Sequence, residues 1–365
     1  MNKWKKSVRS LCLGMALMMS VSWTAFAATD GATGPGQAAG GTVSGAVPSG
    51  ATVTSQNAAQ PTVAAQGAVL YDATHNQFLF SKNADTQYYP ASITKLMTAL
   101  LVLEALDREE IALTDSVQIS PRAAAMKGSQ ALLDASAVYP LEDLLRTTIM
   151  ASANDSAVAL SEYIAGSEEN FVDRMNRRAA ELGMTNTNYV NCTGYPQSGQ
   201  YTTARDVCRL CCEIAKHPRY NQYASVWIDK LTHPGGRVTD LTNTNRLVRF
   251  YEGCDGYKTG STDAAKYCLA ATAEKNGMRL VAIVLGTPVS QTRFNEARQM
   301  LDYGFATYRR VVIANKGDLL GQNVEVRGGS AERVPLALGS GLSMLLKNGQ
   351  QSGLSLSVQL PESVD

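Results

Sequence analysis

The sequence has almost no net charge, few histidines and no G-x-S-x-G motif. Its 33 basic and 32 acidic residues leave a formal charge of +1 at pH 7, so we expect no nucleic acid or acidic partner bound through bulk charge. The absence of G-x-S-x-G argues against the hydrolases that carry their nucleophilic serine on the sharp turn formed by this motif. A Ser-His-Asp enzyme also needs a placed histidine, and the three present, His75, His217 and His233, are scattered.

Cysteine and histidine patterns do not favour a metal site. Six of the seven cysteines follow residue 27 of the chain. Cys208, Cys211 and Cys212 fall one helical turn apart, which small buried apolar side chains explain better than disulfides, although an exported protein permits disulfides. The C-x-x-C at Cys208–Cys211 has no second one to complete a zinc site. We therefore expect neither a metal nor a cofactor.

The N-terminus has the pattern of a secretory signal. Lys3, Lys5, Lys6 and Arg9 precede a short apolar stretch, which ends in Ala25-Phe26-Ala27. This pattern predicts a signal peptide over residues 1–27, with an uncleaved anchor as the alternative. Residues 28–63 are mainly Gly, Ala, Thr, Ser, Gln and Pro, which predicts a flexible linker. We expect an exported, extracytoplasmic protein, located in the cell envelope, in the periplasm or outside the cell.

The rest of the chain indicates an α+β fold. Two β-prone runs flank His75-Asn76, which predicts a hairpin. A second hairpin is predicted around Asn276-Gly277, and several helical segments lie between the two. The segment "QTRFNEARQMLDYGFATYRR" after the second hairpin predicts a closing helix. We expect one antiparallel sheet with helices packed on it plus a helical subdomain, over residues 64–308. Short β-prone runs with Gly-rich turns then predict a small β-rich domain over residues 309–365.

Ser92 and Lys95 stand out in "PASITKLMTALLVLEAL". Residues three apart on a helix are neighbours, so Lys95 can reach the Ser92 hydroxyl. A serine is a weak nucleophile until a base takes its proton, and an apolar surround lowers the pKa of a lysine toward that task. S-x-x-K alone is a weak signal, because a match is expected by chance in a chain of this length.

Two further motifs, S-x-N and K-T-G, follow S-x-x-K along the chain. Ser152-Ala153-Asn154 lies at a predicted break between helices, and Lys258-Thr259-Gly260 lies just before the strand of the late hairpin. S-x-x-K, S-x-N and K-T-G together are the known motif set of class A β-lactamases and penicillin-binding proteins.

With its flanks, such as "EDLLRTTIMASANDSAVALSE" and "CDGYKTGSTDAAKYCLAATA", the chain from about residue 67 to 308 resembles the low-molecular-weight penicillin-binding proteins, the serine D-alanyl-D-alanine carboxypeptidases. The resemblance implies a β-lactamase/transpeptidase-like fold. It implies that the substrate is a peptidoglycan stem peptide ending in D-Ala-D-Ala, and that β-lactams are covalent inhibitors.

The resemblance also implies roles for individual residues. Ser92 would be the nucleophile, Lys95 its base, and Ser152 a proton relay to the departing D-alanine. Asn154 would orient Lys95 and the peptide amide. Lys258 would lower the pKa of Lys95 by its charge and, with Thr259 and Gly260, would form the motif that binds the terminal carboxylate. The backbone N–H groups of Ser92 and Ser261 would form the oxyanion hole.

Two departures from the family pattern fall near the expected cleft. The chain has Asn191-Cys192 where the family usually has Asn-Pro, and Lys266 where it usually has glycine. Both put substrate detail in doubt rather than the reaction. The C-terminal "LSVQLPESVD" contains no basic amphipathic stretch, so we expect no C-terminal membrane anchor of that kind.

The alternatives to a carboxypeptidase are a class A β-lactamase and a wall-binding or β-lactam-sensing module. A class A β-lactamase adds a glutamate in an E-x-x-x-N pattern after S-x-N, and between Asp155 and Gln200 no glutamate has asparagine four residues on. A module that binds the wall or senses β-lactams would be acylated without turnover. D-alanine release separates it from the enzyme.

Overall fold

The computed structural model describes residues 59–327, 332–350 and 363–364. The predicted signal peptide, and the predicted linker up to residue 58, lie outside the described residues. The described part divides into two compact units: one contains the residues up to Arg310 together with Leu345–Asn348, and the other is built mainly from Val311–Met344. No described helix has the length and apolar character needed to cross a bilayer.

The helices and strands alternate in an α+β order. The helices are α1 (Lys95–Asp107), α2 (Pro121–Ala124), α3 (Leu141–Met150), α4 (Asn154–Ala165), α5 (Glu168–Glu181), α6 (Ala204–Ile214), α7 (Pro218–Ala224), α8 (Leu247–Phe250) and α9 (Ser290–Thr307). The strands are β1 (Gly67–Asp72), β2 (Gln77–Lys82), β3 (Ser116–Gln118), β4 (Val138–Pro140), β5 (Ile228–Thr232), β6 (Val238–Thr242), β7 (Cys254–Gly256), β8 (Thr259–Thr262), β9 (Lys266–Lys275), β10 (Met278–Thr287), β11 (Tyr308–Ala314), β12 (Leu319–Val326), β13 (Arg333–Ala337), β14 (Leu342–Lys347) and β15 (Ser363–Val364).

An antiparallel sheet organises the first unit. Its strands follow the order β2-β1-β10-β9-β7, and β8 also pairs with β9. Both predicted hairpins are confirmed: β1 pairs with β2 and β9 with β10. Asn76 and Asn276 take positive φ angles of 57° and 52° in the two turns, a conformation that asparagine tolerates better than most residues. The sheet thus brings the two ends of this unit together.

Strand β10 is buried on both faces, because successive side chains of a strand point to opposite sides. Val281, Ile283 and Leu285 join the core formed with the helical middle of the chain. Leu280, Ala282 and Val284 join a second core with α9. On that second face α9 approaches closely at Gly304, where a Cβ would lie 2.5 Å from Leu280 Cδ1. The predicted closing helix is therefore confirmed as one cover of the sheet.

The helical middle of the chain supports the site. Helix α1 is buried along most of its length, as its nearly uniform apolar sequence predicts. The predicted break between two helices is confirmed, with α3 ending at Met150 and α4 beginning at Asn154. Helix α5 ends before Gly183, which takes a φ of 69°. Such a glycine stops a helix without steric cost.

The cysteines and the C-terminal strands also follow the sequence. All six cysteines after residue 27 are free thiols, and Cys208 and Cys211 are buried in the core as expected, with Cys212 half-buried. Among the C-terminal strands, β11 pairs with β14, and β12 lies between β13 and β15. These strands confirm the β-rich character predicted for the C-terminal part of the chain, after the closing helix.

Candidate active site

Ser92 and Lys95 meet where a short 3₁₀ turn runs into a buried helix. The turn spans Ala91–Thr94, and Lys95 is the first residue of α1. Lys95 Nζ lies 3.0 Å from Ser92 Oγ, which is hydrogen-bond distance. The preceding Ala91 has a φ of 46°, a left-handed conformation that is uncommon for alanine. Strain of this kind is typical of functional sites.

Lys95 is a buried lysine without an acidic partner. Its side chain is 1% exposed, and no carboxylate within the described residues forms an ion pair with it. Burial lowers the pKa of Lys95 to about 7, against smaller opposing effects of Cys192 and Asp155. A large fraction of this amine is therefore neutral at neutral pH and able to accept a proton.

A loop after α5 supplies the second hydrogen-bond partner of Lys95. The lysine donates to Thr193 O at 2.8 Å. Asn191 Oδ1 holds the loop by accepting from Gly194 N at 2.7 Å. Cys192 N donates to the buried Glu168 at 3.0 Å, and Cys192 O accepts from α1 at Thr98 Oγ1. The departure at Asn191-Cys192 thus lies in the loop that positions the lysine.

Ser152 and Asn154 occupy the break between α3 and α4. Ser152 is 3% exposed and has a φ of 64°. Its hydroxyl has no hydrogen-bond partner in the described parts of the chain. Asn154 donates its side-chain amide to Lys127 O at 2.5 Å, and its backbone N–H to Ser129 O at 2.8 Å. Asn154 Nδ2 is therefore engaged with a loop carbonyl, whereas the family resemblance implied a role in orienting Lys95.

Asp155, which the sequence analysis did not single out, fixes that same loop. Its buried carboxylate accepts hydrogen bonds from Ala131 N at 2.9 Å and Leu133 N at 3.1 Å. Backbone donors of this kind satisfy a buried charge. The loop before β4 is thereby tied to the start of α4, beside the S-x-N motif.

The K-T-G motif forms the start of the strand that borders Ser92. Lys258 exchanges backbone hydrogen bonds with Ala270 at 2.9 and 2.8 Å, which aligns β8 beside β9. At Gly260 a Cβ would lie 3.0 Å from Pro90 O and 3.2 Å from Ile93 N. Glycine therefore permits the close approach of β8 to the turn that carries Ser92. Thr259 Oγ1 donates to Thr244 Oγ1 at 2.8 Å, and Ser261 is exposed at the edge of the strand.

Lys258 is a second buried lysine, 1% exposed, whose amine donates to Thr259 O at 3.0 Å. Its pKa is held well below the usual value by burial first, then by the positive charges of Lys95 and Arg293. The family resemblance implied that the charge of Lys258 lowers the pKa of Lys95. Burial, the other cause expected from the sequence, is the main one at Lys95, and the charge of Lys95 contributes to the low pKa of Lys258.

Arg293 and Thr193 are functional candidates that the sequence analysis missed. Arg293 Nη1 donates to Gly260 O at 3.0 Å and to Cys268 O at 3.3 Å, which braces β8 from α9. No motif marks this arginine, which lies 33 residues from Gly260 along the chain. Thr193 acts through a backbone carbonyl, which any residue type provides.

The second departure, Lys266, follows the turn between β8 and β9. Its φ is 54°, a left-handed angle that glycine takes without cost. The glycine usual in the family would therefore suit this backbone, and lysine is held there under strain.

A cavity of about 310 Å³ opens beside the nucleophile. Its wall includes Pro90 and Ala91 from the turn before Ser92, Gly194 from the loop that holds Lys95, and Thr262 from β8. Its lining residues carry no charge. The cavity therefore provides uncharged space beside the turn that carries Ser92.

One cluster among the described residues has the composition of a metal site. Ligand atoms of Glu104, Glu213 and His217 lie within 4.8 Å of one another. Arg178 already pairs with both glutamates, at 2.8 Å from Glu104 and 3.0 Å from Glu213. We therefore interpret the cluster as an ion-pair network on the helical side of the fold.

Comparison with known proteins gives one consistent family. A family model described as D-alanyl-D-alanine carboxypeptidase matches residues 54–289. The chain is 37% identical over 286 residues to D-alanyl-D-alanine carboxypeptidase DacF of Bacillus subtilis, covering 78% of this chain and 73% of that protein. It is 33% identical to DacC of Escherichia coli over 99% of this chain and 84% of that one.

Solved structures agree with these sequence relatives. Penicillin binding protein 5 from Haemophilus influenzae superimposes with a TM-score of 0.71 at 32% identity, over 80% of this chain and 85% of that one. Penicillin-Binding Protein D2 from Listeria monocytogenes, in its ampicillin-bound form, has a TM-score of 0.60 at 31% identity, over 67% of this chain and 98% of that one. The fold class predicted from the sequence is confirmed by these likenesses.

Proposed function

The chain belongs to the D-alanyl-D-alanine carboxypeptidase family, and from that premise we propose that it removes the terminal D-alanine from peptidoglycan stem pentapeptides through an acyl-enzyme on Ser92. The observation that carries the assignment of the nucleophile is the 3.0 Å contact between Ser92 Oγ and the buried amine of Lys95. A lysine whose pKa lies near 7 is suited to general-base catalysis at neutral pH.

Acylation begins when Ser92 Oγ attacks the carbonyl carbon between the two D-alanines. The new Oγ–C bond forms as Lys95 Nζ takes the hydroxyl proton. The C–N bond then breaks, and the departing amine of D-alanine receives a proton through Ser152. The free hydroxyl of Ser152 and its strained backbone support this relay. Water then hydrolyses the ester and regenerates Ser92.

The K-T-G strand positions the substrate in this proposal. Lys258 and Thr259 would bind the terminal carboxylate, and the backbone N–H groups of Ser92 and Ser261 would stabilise the oxyanion. Gly260 supports this arrangement by its close approach to the Ser92 turn. Asn154 would contact the peptide amide of the substrate.

β-Lactams would acylate the same serine, because they mimic the D-Ala-D-Ala end of the peptide. The likeness to an ampicillin-bound penicillin-binding protein supports this extension. The acyl-enzyme formed with a β-lactam would block the site to peptide.

The experiment that tests the proposed activity is D-alanine release from a short peptide ending in D-Ala-D-Ala. The wild-type protein should release D-alanine, and Ser92→Ala, matched for thermal stability, should not. A folded wild-type protein that is acylated by penicillin but releases no D-alanine would identify a binding or sensing module instead.

The enzyme would act outside the cytoplasm, where peptidoglycan lies. We propose export through residues 1–27 with cleavage between Ala27 and Ala28, a linker over 28–63, a catalytic domain over 64–308 and a β-rich domain over 309–365. N-terminal sequencing of the exported protein should give a start at Ala28. A start at Met1 would mean an uncleaved anchor.

A further inference from the structure

A second cavity, of about 200 Å³, lies between α8 and the first half of α9. None of the residues assigned to the active site lines it. Two arginines, two side-chain amides and three apolar side chains line it. They are Arg246 and Arg298, Gln291 and Asn295, and Leu247, Phe250 and Phe294.

The two arginines have no acidic partner among the described residues. Arg246 makes a long hydrogen bond of 3.3 Å to Gln291 Oε1, and Arg298 donates to Phe250 O at 2.7 Å. Each guanidinium has five N–H donors, so both keep donors for a ligand. The acids of α9 nearest to them are engaged elsewhere: Glu296 accepts from Ala64 N and Ala65 N, and Asp302 accepts from Tyr251.

The rest of the lining favours an anion carried on a larger organic body. Gln291 Nε2 donates to Asn295 Oδ1 at 3.1 Å, which leaves the amide N–H₂ of Asn295 as a further donor. Phe250 is 59% exposed, and it offers an apolar surface beside the two charges. No lining residue is negatively charged. Arginine forks match the geometry of a carboxylate.

The cavity is connected to the catalytic strand through one aromatic ring. The guanidinium of Arg246 lies 6.0 Å from the Phe294 ring, and that of Arg293 lies 4.8 Å from the same ring. Arg293 in turn donates to Gly260 O. The cavity therefore adjoins Arg293, the residue that braces the K-T-G strand.

We propose that this cavity binds a side-chain carboxylate of the peptidoglycan polymer, on a part of the polymer other than the D-Ala-D-Ala end that is cleaved. The proposal rests on the proposed function, because that function makes peptidoglycan the polymer held at Ser92. Binding there would retain the enzyme on the wall between turnovers.

The test measures co-sedimentation of the protein with insoluble peptidoglycan in excess benzylpenicillin, which keeps Ser92 acylated and the catalytic site blocked. The variant is the double substitution Arg246→Gln and Arg298→Gln. The control is Arg249→Gln, which removes an arginine charge from α8, three residues from Arg246. Arg249 packs on Trp227 and Phe250 and does not line the cavity. Penicillin acylation should be unchanged in all variants.

We expect the double variant to bind peptidoglycan about tenfold more weakly, a size that two exposed charge pairs can supply, and the control to bind as wild type does. Amidation of the polymer carboxylates should weaken wild-type binding to the same level, and removal of phosphate polymers by hydrofluoric acid should not.

Equal binding by the double variant and the wild type would overturn the proposal. Loss of binding only when phosphate polymers are removed would also overturn it. Failure of the proposed function is distinguishable, because it would appear as absent D-alanine release by the wild type.

Discussion

Raising the pH from 6 to 8 should speed the acylation of Ser92 by about tenfold. The general base must be neutral to take a proton, and the pKa of Lys95 is lowered by burial to about 7. The neutral fraction of such an amine rises from about a tenth at pH 6 to about nine tenths at pH 8. Because the lysine pKa is lowered and not raised, activity must increase with pH across this window.

The assay is the second-order rate of benzylpenicillin acylation, measured by rapid quenching and intact mass at a series of pH values. The β-lactam keeps one charge state over this range, so a change in rate reports the enzyme. Thermal unfolding at each pH should establish that the protein stays folded. A rate that is flat, or that falls, between pH 6 and 8 would refute the assignment of Lys95 as the base.

Lys95→Arg sharpens the same prediction. A guanidinium does not deprotonate in proteins, so the variant retains the positive charge and loses the base. General-base catalysis typically contributes about 10²–10⁴-fold, and we expect a loss of at least about a hundredfold with no remaining rise between pH 6 and 8. The comparison needs matched thermal stability, since a larger side chain in a buried position disturbs packing. Near-wild-type rates in folded Lys95→Arg would contradict the mechanism.

Three further substitutions test the strand, the strained turn and the relay. Gly260→Ala should destabilise the protein by about 1–3 kcal/mol and slow acylation, because the new Cβ would lie 3.0 Å from Pro90 O; penicillin labelling and a thermal melt check both effects. Lys266→Gly should stabilise the fold by about 0.5–1 kcal/mol, because it relieves a φ of 54° at a modest cost in chain entropy; denaturant unfolding measures the gain. Ser152→Ala should leave the fold intact and lower D-alanine release by about a hundredfold.

Each of these substitutions has an outcome that counts against the reasoning. Wild-type acylation in Gly260→Ala would mean that β8 has more room than its contacts indicate. A loss of stability in Lys266→Gly would mean that the lysine side chain stabilises the fold by more than its strained backbone destabilises it. Full D-alanine release by Ser152→Ala would remove this hydroxyl from the proton path.

The parts of the site that the sequence predicted are those set by local geometry. Ser92 and Lys95 are three residues apart, so one turn of helix brings their side chains together whatever the rest of the chain does. The two hairpins were predicted for the same reason, because asparagine and glycine favour tight turns. The departure from the family pattern at Lys266 is also explained locally, because the φ of 54° at this residue is one that glycine adopts without strain.

The parts that the sequence did not predict depend on distant segments. The backbone carbonyl of Thr193 accepts a hydrogen bond from Lys95, which lies 98 residues away along the chain. Because every residue type has a backbone carbonyl, the sequence does not mark this one. Arg293 reaches Gly260 O from the closing helix, and no motif marks it in the sequence. The apolar surround named from the sequence is the main cause of the low Lys95 pKa, but how completely several helices bury this one amine depends on the whole fold.

The most direct test of the central claim is the identity of the acylated residue. Intact mass after benzylpenicillin treatment should show one adduct, and peptide mapping should place it on the peptide that contains Ser92. Ser92→Ala, folded and otherwise unchanged, should take up no adduct. An adduct on another peptide, or one that persists in Ser92→Ala, would contradict the account.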